Sequence, residues 1–193
     1  SLGIFVFTPR EFRGVFGVSE KAASSFISSN VKSGLFVKLR NKYYMLKDSS
    51  PSLYLIANKL YQPSYISLEK ALSYYGIIPE TVYTTTSITT KPTREFETPK
   101  GAFSYQRIKT GAFTGYSPAR IESNVVLFAE PEKALADYLY FVDLKKVSLN
   151  DRLELKKINK KKLIQFAKLF KRPSLLRLVE HIYVEQRKPR TIY

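Results

Sequence analysis

Two sets of basic and hydroxyl side chains, and one small set of acids, have types and spacings that could do chemistry. The first set is Lys21, Ser24, Ser25, Ser28 and Lys32, on the polar side of one helical segment, with Arg10, Lys38, Arg40 and Lys42 nearby in sequence. Short polar side chains let a helix approach a duplex closely, while Lys and Arg neutralise phosphates, so the set suits double-stranded DNA. Lys and Ser do not specify bases as Arg or Asn would, so no operator sequence follows from them. The same pattern also fits a protein contact or a solvated face. The second set is Lys156, Lys157, Lys160, Lys161, Lys162, Lys168, Lys171, Arg172 and Arg177. A solvated face, a second nucleic-acid contact and a dock for an acidic partner all remain open for it.

The acids offer less. Glu132, Lys133 and Asp137 could be the remnant of a nuclease-like site. However, Glu132 falls in a first helical turn, where the dipole favours it, and Lys133 with Asp137 makes an i,i+4 pair worth only ~0.3 kcal/mol. They read as structure. Glu95 and Glu97 alternate on one side of an expected strand without a partner acid, and read as surface charges. His181 stands alone without a nucleophile or an orienting partner, which reads as structural or solvated.

Composition narrows the classes further. The chain has 193 residues, one His and no Cys, which removes disulfides, thiolate metal centres and cysteine nucleophiles. No metal or cofactor is expected. No run of about 18 apolar residues suggests a membrane span. The opening Ser1–Phe7 has no basic leader and no small-residue cleavage site, so no secretory signal is expected and the cytoplasm is the expected location. Lys and Arg number 32 against 16 Asp and Glu, a net charge of +16 that favours an anionic partner. Residues 1–50 carry 8 basic against 3 acidic residues, residues 51–142 carry 9 against 8, and residues 143–193 carry 15 against 5. Two basic ends flank a nearly neutral, tyrosine-rich middle, as in a binding protein built of modules. The tyrosines read as core and interface material.

The elements that must position the first set are legible. Thr8, Pro9 and Glu11 form a capping box with proline at the first helical position, and Gly17 ends the helix. Ser19 can cap a second helix from about Glu20 to Ser33, closed by Gly34, with Ala23, Phe26, Ile27 and Val31 inward. Leu35–Leu39 and Tyr43–Leu46 then alternate as strands around a basic tip, Arg40-Asn41-Lys42. Helix, turn, helix and hairpin predict a winged helix-turn-helix whose wing lies along phosphates. The helix that normally precedes such a pair is not found before Thr8, and the module is expected to be incomplete in this sequence.

After the polar linker Asp48–Pro51 helical periodicity restarts, giving an expected winged helix over residues 1–48 and a second, separately folding domain over 49–193. In the second domain, Leu53–Tyr61 and Ser67–Tyr75 read as helices, the latter capped by Ser67. Val82–Thr90, Arg94–Thr98, Ala102–Ile108 and Val125–Ala129 read as strands. Pro131 opens a helix with stripe Leu135, Tyr138, Leu139 and Val142. Asn159 and Pro173 open two more. The fold class expected is α+β: a winged helix, then a mixed domain with a largely antiparallel sheet and C-terminal helices.

Four segments of this second part, in order and spacing, resemble the AbiEi antitoxin family: Pro63–Leu72 (PSYISLEKAL), the Thr-rich strand ending near Thr89, Arg94-Glu95-Phe96, and Ala129–Leu135 (AEPEKAL). The resemblance spans about Phe7 to Tyr183. Glu130 departs from it, because the family more often has a small capping residue there. The resemblance implies a non-catalytic antitoxin of a type IV toxin–antitoxin or phage-defence pair. Such a protein represses its own operon by binding promoter repeats and counteracts a nucleotidyltransferase toxin, a functional partner and not necessarily a physical one. For the second basic set the acidic partner would then be the toxin. Two alternatives stand beside it: a plain winged-helix regulator with a ligand- or partner-sensing domain, and a nuclease or RNA-modifying enzyme using the Glu132 region.

Overall fold

The computed structural model describes residues 6–185; most of the opening stretch weighed above as a leader, residues 1–5, lies outside the described residues. The fold is α+β, with two sheets that are mostly antiparallel. In the first part, β1 (Val6–Phe7) leads into α1 (Pro9–Phe16), α2 (Glu20–Lys32) and a hairpin of β2 (Phe36–Arg40) and β3 (Tyr43–Leu46). The local signals act as expected. The Thr8 N–H donates to the Glu11 carboxylate at 2.8 Å, and the Glu11 N–H returns a bond to Thr8 Oγ1 at 3.3 Å. Ser19 Oγ accepts the Ala22 N–H at 3.2 Å, and Gly34 turns the chain at φ 81°, where a side chain would be strained. Ahead of α1 the described chain runs as a strand, β1, which pairs antiparallel with β3 and makes a three-stranded sheet in the order β1-β3-β2.

The second part begins with α3 (Leu53–Leu60), β4 (Ser64–Ile66) and α4 (Leu68–Tyr74). Next come β5 (Thr85–Thr89), β6 (Arg94–Thr98), β7 (Gly101–Arg107), β8 (Tyr116–Ile121) and β9 (Asn124–Ala129). Helices α5 (Pro131–Asp143), α6 (Lys160–Lys168) and α7 (Pro173–Glu185) follow. The six strands run β6-β7-β5-β4-β9-β8, with β5–β7 and β4–β9 parallel. Strands β4 and β8 have no counterpart in the sequence reading: β4 is three residues long, and β8 carries Pro118. The Thr-rich strand is shorter than Val82–Thr90. All five residues of β5 are buried; Thr86 donates its hydroxyl to the Ser67 carbonyl and Thr89 to that of Pro63, both at 2.7 Å, while the Thr85 and Ser87 hydroxyls are buried without a partner.

Helix α5 lies at the centre and is buried nearly all round, from Glu132 through Leu139 and at Phe141. The expected apolar stripe is therefore only part of what it buries. The i,i+4 pair expected of Lys133 and Asp137 is present, and it is an ion pair with both side chains fully inaccessible. Asp137 Oδ2 also accepts the hydroxyls of Tyr65 at 3.0 Å and Ser67 at 2.8 Å. Ser67, expected as a cap of α4, thus spends its hydroxyl on Asp137 and makes no cap bond. Helix α6 closes over this cluster at Gly115, where a Cβ would lie 2.5 Å from the Phe166 ring.

The two parts share packing. Val6, Leu39 and Met45 of the small sheet belong to the main buried core, while Phe7, Ile27 and Phe36 form a small cluster of their own. Glu11 on α1 pairs with Lys59 on α3. Burial pushes the Glu11 carboxyl up, but the Lys59 ammonium and the Thr8 N–H and hydroxyl outweigh it, leaving the group below its ordinary value of 4.5. A depressed carboxylate contributes stability above its unfolded value that is lost as pH falls through the lower folded one. The acid limb of a thermal-midpoint profile should therefore flatten below about pH 4.5 in Glu11→Gln. Among the described residues, no helix is long and apolar enough to cross a membrane.

Candidate nucleic-acid interface

Helix α2 presents Lys21, Ser24, Ser25, Ser28 and Lys32, all exposed, along about 16 Å of its length. Arg10 on α1, Lys38 on β2 and Lys42 at the hairpin tip are exposed as well. Lys42 takes φ 66° in the two-residue turn between the strands. The inward side of α2 is narrower than expected. Ala23 and Ile27 are buried and Val31 is half-buried, but Phe26 is 49% exposed. Phe26 lies one step round the helix from Ile27, and its ring stacks on Phe12 of α1 at 5.5 Å. Helix α1 buries none of its own residues, so it is too peripheral to cover Phe26.

Arg40 is where the structure corrects the expected contact set. Its guanidinium does not face outward with Lys42. It donates to the Leu60 carbonyl at 2.7 Å and lies over the rings of Tyr43 and Phe96, 4.5 Å from each centroid. A carbonyl left over at the end of α3 and two aromatic faces offer more than a phosphate in water. Arg40 therefore fastens the hairpin to the second part. Arg40→Ala is expected to leave the salt dependence of DNA binding unchanged and to lower stability by roughly 1–3 kcal/mol, read by denaturant midpoint and by binding at several salt concentrations.

The C-terminal basic set divides. Lys160 pairs with Glu180 at 2.5 Å and sits 5.0 Å over the Tyr183 ring, and Arg172 pairs with Asp143 at 2.5 Å. Lys162 pairs with Glu130 and lies 3.7 Å from Glu132. The Glu130 carboxylate, with Glu132 behind it, holds the Lys162 ammonium above its ordinary value against the opposing effect of desolvation. Lys160 ties α6 to α7, and Lys162 and Arg172 tie this pair of helices to the rest of the protein, so the three are engaged in ion pairs. Lys156, Lys157, Lys161, Lys168, Lys171 and Arg177 are exposed. Lys161 and Lys168, seven residues apart, fall close to one stripe on α6, and Lys157 lies in the turn just before it.

The acidic candidates are placed by packing. Glu132 is buried and accepts the Asn159 N–H at 3.0 Å, fixing the start of α6. Lys133 and Asp137 are sealed from solvent. Glu130 makes no side-chain cap bond, in keeping with its departure from a small capping residue, and is turned to Lys162 instead. His181 is exposed on α7, and Glu95 and Glu97 are exposed on β6. Among the described residues, no group of three or more His, Asp or Glu could hold a metal ion. No family model matches this chain, and no curated protein matches it.

Proposed function

We propose that this chain is a DNA-binding regulator of the winged-helix type and, following its resemblance to the AbiEi family, an antitoxin that represses its own operon and counteracts a nucleotidyltransferase toxin in the cytoplasm. The observation that carries the DNA-binding half is the exposed Lys–Ser stripe of α2 beside the exposed lysines of the hairpin. Its support is the order strand, helix, helix, hairpin, with the first strand paired to the last. The exposed lysines of α6 would lengthen the phosphate track.

The antitoxin half rests on the four resembling segments, two of which meet in space. Tyr65 and Ser67 from the first and Lys133 from the last converge on Asp137. These residues then serve the fold, which fits a protein without catalysis, because a sealed Lys–Asp pair cannot reach a substrate. The test has two arms. Purified full-length chain should retard DNA from its own promoter over a scrambled sequence, and binding without preference for the promoter would overturn the repressor role. Co-expression should restore growth to cells making the nucleotidyltransferase encoded beside it. Growth arrest despite abundant folded chain would overturn the antitoxin role.

A further inference from the structure

A cleft of about 700 Å³ opens between the large sheet and the end of α5. Its floor is a row aligned across three neighbouring strands: Thr86 on β5, Ser104 on β7 and Glu95 on β6. Glu69 of α4 lines one side, and Phe141 of α5 lines the cleft with Lys146 just beyond the helix. The loop carrying Val82 and Thr84 borders the cleft, and between them Tyr83 is 85% exposed.

The unusual feature is the acids. In a chain with twice as many cations as anions, at least half of the carboxylates, Glu11, Glu20, Glu80, Glu130, Glu132, Asp137, Asp143 and Glu180 among them, take Lys or Arg partners. Glu69 and Glu95 take none among the described residues, and neither do Glu97 and Glu122, but those two and Glu95 are exposed whereas Glu69 is half-buried. Burial pushes the Glu69 carboxyl above its ordinary value. The hydrogen bond from its own N–H offsets this only in part, and a partly desolvated carboxylate without a cation partner in a cleft costs stability, a cost that concentrates where a ligand repays it.

We propose that this cleft binds a guanine nucleotide. The N1–H and N2–H donors of guanine run parallel and match the two oxygens of the Glu69 carboxylate. Adenine presents an acceptor where the carboxylate needs a donor. Glu95, nearer solvent, accepts the ribose hydroxyls, as acids do in other nucleotide sites. Lys146 meets the phosphate, and Tyr83 offers a ring for stacking on the base. A free guanidinium has the same paired donors, but the net charge of +16 and Lys146 disfavour a second cation. This site is independent of the DNA-binding surface.

Isothermal titration of the full chain with GMP, guanosine, AMP and L-arginine tests the proposal. GMP and guanosine should bind, with AMP at least about tenfold weaker and arginine silent. Glu69→Gln should weaken GMP by about tenfold or more, as expected for a bidentate pair, without lowering the thermal midpoint. Tyr83→Ala, which touches a largely solvated side chain, should weaken GMP several-fold. Absence of binding at millimolar GMP, equal binding of AMP, arginine binding in place of guanosine, or full affinity in both variants would each overturn it. The guanosine arm separates the cleft from phosphate capture by the basic helices.

Discussion

Asp137→Ala should cost about 3–5 kcal/mol and leave little folded chain at 37 °C, because it strands the Lys133 ammonium in a site without solvent. The same change removes the acceptor of the Tyr65 and Ser67 hydroxyls, adding to the loss. The double variant Lys133→Met with Asp137→Asn tests the cause. It removes both charges, keeps an oxygen for the two hydroxyls, and should recover most of the stability in guanidinium denaturation. A double variant no better than the single one would mean that shape, not charge, is what the site requires.

The second large effect concerns DNA. Replacing Lys21, Lys32, Lys38 and Lys42 together by alanine should reduce the slope of log affinity against log salt by roughly 3–4, at about 0.9 for each phosphate contact. Near 0.1 M salt this amounts to a loss of about three to four orders of magnitude, alike for promoter and unrelated DNA. Ser24→Ala and Ser28→Ala should instead change which sequences are preferred, since their side chains sit between the two lysines of α2. Filter binding across a salt series reads both. An unchanged slope in the fourfold variant would remove α2 and the hairpin from the interface, and the exposed lysines of α6 would be the next surface to test.

Much of the first part follows from the sequence alone. Thr8 with Glu11, Ser19, Gly17 and Gly34 each act within three or four residues, so the two helices and their turn are local events that need no partner. The hairpin is equally local, its strands being separated by two residues. Helices opened by Pro131, Asn159 and Pro173 are legible for the same reason. The short strand β4 is different, because it exists only between β5 and β9, and β9 is about 60 residues further on.

The chemistry of individual side chains is decided by tertiary packing. Arg40 looks like a phosphate contact beside Lys42 until α3 and β6 bring it a carbonyl and a ring. Phe26 has helical spacing for a core, yet α1 does not cover it. Lys133 and Asp137 have the spacing of a weak surface pair, and only the burial of α5 on every side makes them a fully desolvated one. Glu95 comes to line the cleft through strand register, and Glu69 through the packing of α4 on β5. Caps and turns are energies of neighbouring backbone groups and can be read along the chain. Burial and the choice of a charge's partner depend on residues up to about 70 positions away, whose approach only the folded core determines.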